Sequence, residues 1–97
     1  MAIGVYFNFQ DSTVDQYDEV CRKVNNGQLM SKLSDWPGGG CLAHSAWQEG
    51  SALNVFDVWE SPEAFQAFGE KLMPALSEVG LPQAEPHIAQ LHNFVAS

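Results

Sequence analysis

The hexapeptide FDVWES at positions 56–61 places a carboxylate, Asp57, two residues before a tryptophan, Trp59. Residues two apart on a strand project from the same face. The preceding segment, CLAHSAWQ at 41–48, reads as a strand, EGSA as a turn and LNVFDVWE at 53–60 as the next strand, so the two make a hairpin. With Gly50-Ser51 as a two-residue loop, Ala46 faces Val55, His44 faces Asp57 and Leu42 faces Trp59, all six on one face. Directly opposed side chains have Cβ atoms about 5 Å apart, which brings His44 and Asp57 into hydrogen-bond reach beside Trp59. A three-residue loop would turn His44 toward Phe56 and dissolve the pair, so both registers stay open at this level. A carboxylate that holds an imidazole fixes its tautomer and strengthens it as a base. The chemistry this suits is removal of a proton from an acidic organic molecule, a phenol or an enolisable ketone. The same pair sealed in solid core would only satisfy its own polar atoms. What separates the two cases is whether a cavity adjoins His44.

The other reactive side chains are less eloquent. His92 and Asn93 fall in HIAQLHNFV at 87–95, which reads as the last strand, and His87 follows Pro86 at its start. Across a four-stranded sheet with this strand at the opposite edge from the first hairpin strand, His92 lies about 14 Å from His44, too far to share a metal within one chain. His92 is expected to cap edge backbone or, approaching the hairpin of a second copy, to join the substrate-binding residues. Cys21 and Cys41 have no histidine at metal-ligand spacing, so a zinc site is not expected. They read as reduced core thiols of a cytoplasmic protein.

The elements that must position these residues follow from pattern. AIGVYFNF at 2–9 is aromatic and β-branched, hence a strand. In DSTVDQYDEVCRKVNNG, Ser12 or Thr13 caps a helix, acids lie in its first turn, Arg22 and Lys23 near its end, and Gly27 stops it. Its apolar stripe reads Val14, Tyr17, Cys21 and Val24. WPGGG at 36–40 is a loop. Ser61 and Pro62 open a second helix whose buried stripe is Phe65, Phe68, Leu72, Leu76 and Val79; Pro74 should kink or split it, and Gly80 ends it. Trp36 and Trp47 stand near loops as packing residues. The order β-α-β-β-α-β is the split βαβ, ferredoxin-like pattern: one α+β domain over residues 1–97, with an antiparallel sheet of order 4-1-3-2 and both helices on one face.

Ile3, Val5, Phe7 and Phe9 alternate with Ala2, Gly4 and Tyr6, and Val55 and Trp59 with Phe56 and Val58. Both sheet faces therefore look apolar, and helices cover only one. The simplest cover for the other is the same sheet of a second copy, a homodimer joined through its sheet faces. The element order, the hairpin HSAWQEGSALNVFDVWES running into PEAFQAFGEKLMPAL, and the closing LHNFV resemble the dimeric α/β-barrel superfamily and, within it, the antibiotic biosynthesis monooxygenase group. The resemblance implies a dimeric α/β barrel. It also implies, among several activities in the superfamily, a cofactor-independent oxygenase that holds a polycyclic phenol between sheet and helices, with Asn, Trp and Tyr side chains polarising it. Asn8, Tyr6, Trp47 and Trp59 are the counterparts this chain offers. Haem-degrading members use a first-strand asparagine, which Asn8 matches. The second helix, SPEAFQAFGEKLMPALSEV, has no histidine for iron, which disfavours haem. The resemblance leaves open an isomerase or cyclase using the same base, and a non-catalytic ligand-binding or accessory protein.

Composition sets the outer limits. The chain has 97 residues, with 12 acidic against 4 basic side chains and a net charge of −8. Arg22, Lys23, Lys32 and Lys71 cannot build a basic patch, so nucleic acid and anionic membranes are not expected partners. MAIGVYFNFQ has neither the basic start nor the length of a signal peptide or membrane span. Charged residues are only 16% of the chain, which fits a surface partly hidden in a partner. The expected partners are a second copy and a small organic molecule, with no metal or organic cofactor.

Overall fold

A computed structural model describes residues 1–96. Its elements are β1 (Ile3–Gln10), α1 (Val14–Val24), β2 (Cys41–Glu49), β3 (Ala52–Trp59), α2 (Pro62–Val79) and β4 (His87–Gln90), with a short 3₁₀ turn at Leu33–Asp35 between α1 and β2. The four strands form one antiparallel sheet in the order β2-β3-β1-β4, the ferredoxin-like α+β arrangement.

The hairpin has the two-residue loop. Glu49 pairs with Ala52, and Gly50 takes a φ of 60°, the left-handed first position of a type II′ turn. That register puts His44 opposite Asp57 and Ala46 opposite Val55. It fails at one end. A bulge between Cys41 and Ala43 leaves Leu42 without a partner, so Cys41, not Leu42, faces Trp59. Gly40, just before β2, explains the tight approach there: a Cβ on it would lie 2.5 Å from Cβ of Ala64 on α2.

Helix α1 starts with a capping box. Thr13 Oγ1 accepts from the Gln16 amide (3.3 Å) and Gln16 Oε1 from the Thr13 amide (2.9 Å). Its buried side is Tyr17, Val20, Cys21 and Val24; Val14, in the helix's first turn, is exposed. Helix α2 opens on Ser61 and Pro62 and runs unbroken through Pro74, which points to solvent. Gly80, at φ 90°, closes it, and the Leu81 amide bonds back to the Leu76 carbonyl at 3.1 Å. The core lies between the helices and one sheet face, where Ile3, Val5, Phe7 and Phe9 of β1 meet Val20 of α1 and Phe65, Phe68 and Leu76 of α2.

Two expectations need correction. Strand β4 is only His87–Gln90, so His92 and Asn93 lie beyond it and are exposed. The second sheet face is not uniformly apolar: Tyr6, Asn8 and Gln10 of β1 lie there with Asn54 and Phe56 of β3. Among the described residues no helix is long and apolar enough to cross a membrane.

Candidate functional site

Three elements meet at His44. β2 carries the imidazole, β3 presents Asp57 directly opposite, and α1 lowers Tyr17 onto the ring. His44 Nδ1 is hydrogen-bonded to Asp57 Oδ1, and Asp57 Oδ2 accepts from Trp59 Nε1 at 3.4 Å. His44 Nε2 is bonded to the Tyr17 hydroxyl at 2.5 Å. Asp57 as a carboxylate can only accept, so the neutral imidazole carries its proton on Nδ1 and Nε2 accepts from Tyr17. Asp57 is buried, its side chain 3% exposed against 13% for His44, so the pair is shielded from water on the carboxylate side. Trp36 packs its ring against His44 with centroids 4.4 Å apart at 47°, and the Tyr17 ring lies nearly parallel to the imidazole at 5.8 Å.

The loop that holds Trp36 is ordered by a carboxylate. Asp35 Oδ2 accepts the amides of Ser31 (2.8 Å) and Lys32 (3.2 Å), and the Trp36 amide bonds to the Leu33 carbonyl (3.1 Å). This fixes Trp36 over the dyad, where it is buried.

A cavity adjoins the pair. It lies between sheet and helices, walled by Phe7, Leu53, Val55 of the sheet and Phe68, Leu72 of α2, with His44, Asp57 and Tyr17 as its polar members. The space open to water centres is about 50 Å³. That is room for roughly four waters, well short of the roughly 150 Å³ of a cavity that takes up benzene. Beyond Trp36 and Met30 lies an open cleft of about 310 Å³ that also reaches His44 and is edged by Ser31, Lys32 and Leu33. An aromatic substrate would need more room than the cavity alone offers, and the adjoining cleft at His44 is the space beside it.

The surroundings disfavour negative charge. Burial pushes the Tyr17 phenol well above its usual value, with Cys21 and Asp57 adding to the shift. Burial raises the Cys21 thiol as well, and lifts that of Cys41 to about 12 with help from the Asp57 charge. None of the three is poised to ionise as a nucleophile. Among the described residues no group of three or more His, Cys, Asp and Glu side chains is placed to hold a metal.

The residues read from the sequence thus fall into two groups. His44 and Asp57 come together as the two-residue loop requires. Trp59 stands behind them, fully buried, holding Asp57 and packing on Phe68 with centroids 5.0 Å apart. Asn8, Tyr6 and Trp47 are on the other side of the sheet. There Gln10 Nε2 donates to Asn8 Oδ1 (2.5 Å), Asn8 Nδ2 to Asn54 Oδ1 (3.1 Å) and Tyr6 Oη (3.2 Å), and Tyr6 Oη donates to Asn54 Oδ1, while Trp47 stacks on Tyr6 at 6.4 Å. His92 joins neither group. Tyr17 and Trp36, which contact His44 directly, read in the sequence only as packing residues. The available signal was that Tyr17 is the one polar-tipped member of its apolar helix stripe.

The chain is matched by no family model and by no curated protein, but solved structures share its fold. Rv0793 from Mycobacterium tuberculosis superposes with a TM-score of 0.71 at 11% identity, covering 99% of this chain and 100% of that one. A protein named for the antibiotic biosynthesis monooxygenases, from Chloroflexus aurantiacus, gives 0.65 at 17% identity over 99% and 98%. SnoaB, a cofactor-independent oxygenase from Streptomyces nogalater, gives 0.62 at 13% identity over 99% and 97%. At these identities the likeness establishes a fold shared with these proteins over nearly the whole chain.

Proposed function

We propose that this protein is a small-molecule enzyme that removes a proton from an apolar phenolic or enolisable substrate, with His44 as the base and Asp57 as its positioning partner. The observation that carries this reading is a pair at the wall of an apolar cavity, the half-buried His44 and the buried Asp57. Desolvated walls strengthen the Asp57–imidazole interaction and would stabilise the imidazolium formed when His44 takes a proton. A ring-sized substrate would draw on the adjoining cleft as well as on the cavity.

Its fold is shared with SnoaB, a cofactor-independent oxygenase, and this supports an oxygenase version of the reaction. In that version deprotonation yields a phenolate rich enough in electrons to reduce molecular oxygen itself. One oxygen atom remains on the ring carbon as a quinone carbonyl and the other leaves as water, the substrate supplying all four electrons. An isomerase or cyclase would stop at the deprotonated species and rearrange it. Turnover of monocyclic phenols and quinols should therefore be screened with and without oxygen, beside His44→Gln. The reading expects product that disappears with His44→Gln. Oxygen dependence selects the oxygenase version, and oxygen-independent turnover selects the isomerase version. Turnover that survives both oxygen removal and the substitution would sink the reading.

The assembly belongs to the same proposal. Phe56 and Trp47, 37% and 40% exposed, lie on the sheet face that the helices leave open. Gly4 is buried beneath Phe56 and Leu91; a Cβ there would come within 3.1–3.3 Å of both. A flat aromatic patch on an open sheet suits a second copy laid face to face. Light scattering at micromolar concentration should give twice the chain mass, and Phe56→Glu should return it to one chain. A wild-type monomer contradicts the dimer.

A further inference from the structure

If His44 is the base, its ring raises a difficulty that the structure also resolves. A base needs a free lone pair facing its substrate. Nδ1 is committed to Asp57, and Nε2 is covered by the Tyr17 hydroxyl at 2.5 Å. No ring nitrogen is open to the cavity. Tyr17 itself lines that cavity. Its phenol is held neutral by burial and by the nearby Asp57 charge, so it cannot serve as a standing phenolate base. A neutral hydroxyl bonded to an imidazole nitrogen can still pass a proton on, provided it gives up its own as it accepts another.

We propose that Tyr17 is a catalytic residue, the group that meets the substrate, and that it relays the substrate's proton to His44. As the substrate proton moves to Tyr17 Oη, the Tyr17 hydroxyl proton moves to His44 Nε2. The products are a substrate anion, a neutral tyrosine carrying the substrate's hydrogen, and an imidazolium held between Tyr17 and the Asp57 carboxylate. Atoms and charge balance without an oxidant or a metal. The two transfers must be concerted, because a tyrosine that lost its proton first would be a buried anion next to Asp57, and one that gained a proton first would be a protonated phenol. Helix α1 is then part of the active site, and its apolar stripe both packs the core and aims the hydroxyl.

This inference rests on the reading of His44 as the base, and the two can be tested separately with a carbon acid that needs no natural substrate. 5-Nitrobenzisoxazole loses its carbon-bound proton to a general base, and the electron pair left behind breaks the ring N–O bond to give a coloured cyanophenolate. The full-length protein, Tyr17→Phe and His44→Gln should be compared in water and in D₂O. The relay expects a wild-type rate above buffer that falls on the order of a hundredfold or more in Tyr17→Phe, the lower end of what positioned acid–base groups supply. It also expects a normal solvent isotope effect in the wild type, because the Tyr17 hydroxyl hydrogen comes from solvent and is in flight. Direct transfer moves only the probe's own hydrogen. A Tyr17→Phe rate equal to or above wild type, or a wild-type solvent effect near one, overturns the relay and leaves His44 as a base that Tyr17 merely covers. A His44→Gln rate equal to wild type, or a wild type no faster than buffer, overturns the base and the relay together.

Discussion

The two faces of the sheet carry similar polar side chains to different ends. On the face under the helices, Asp57, His44 and Tyr17 form a chain of hydrogen bonds closed off by Trp36 and Trp59. On the open face, Tyr6, Asn8, Gln10 and Asn54 form a chain of similar length with Trp47 against it. The first includes a carboxylate and an imidazole in dry surroundings, where charge is expensive and proton position matters. The second is neutral throughout, and in the single chain it is exposed at Asn8 and Gln10. The same strands therefore build a group that could do acid–base chemistry on one side and a hydrogen-bonding surface on the other. What decides is which residues face the helices.

This contrast can be broken in graded steps. The largest effect should come from Trp59→Ala, which removes a fully buried indole that both packs on Phe68 and holds Asp57; urea unfolding should show a loss of about 3–5 kcal/mol. Asp57→Ala leaves the His44 and Trp59 donors without their acceptor and should cost about 2–3 kcal/mol, read the same way, with loss of the base reaction. Alkaline pH should act on the inner face next. The folded pKa of Cys41 is about 12 against 9.0 for the free thiol, so its contribution to stability is complete below 9 and is lost as pH climbs from 9 toward 12. Tyr17, also raised, adds in the same direction once pH passes 10.0. Thermal melts in that range should fall, and Cys41→Ala should flatten the fall. Least affected should be Asn8→Ala on the open face, measured in the single-chain Phe56→Glu background, at less than about 1 kcal/mol, because water there replaces what the exposed amide loses.

The parts of this architecture that were readable from sequence are those set by local rules. Ser61-Pro62 and Gly80 bracket α2, and Gly50 suits a two-residue turn that would put His44 opposite Asp57, although the sequence alone also allows a three-residue loop and the other register, which only the pairing of the strands excludes. The bulge at Leu42 was not readable, because it depends on how β2 passes Gly40 and Ala64 of α2, residues far apart in the chain. Strand β4 was overestimated since LHNFV has strand-like residues, yet the ladder with β1 stops at Gln90 and is continued by a single bond from the Leu91 amide to the Ala2 carbonyl at 3.1 Å. The grouping of Asn8, Tyr6 and Trp47 with His44 failed for a simple reason. Trp47 stands three residues from His44 on β2, so alternation alone puts it on the opposite face, whereas Asn8 and Tyr6 are on β1 and relating their face to that of His44 needs the pairing of β1 with β3. Tyr17 was seen as buried but not as bonded, since helix periodicity fixes which side a residue faces and not which atom its hydroxyl meets.

The claim on which the rest depends is that His44 presents an unprotonated Nε2 toward Tyr17 while Asp57 holds the proton at Nδ1. Two-dimensional ¹⁵N–¹H spectra of the histidine rings, recorded where His44 is neutral, read this directly. The structure predicts the Nδ1–H tautomer for His44, with an Nε2 resonance that shifts on Tyr17→Phe. An Nε2–H tautomer that ignores the substitution would mean that His44 has no lone pair to offer there, and would contradict both the base and the relay.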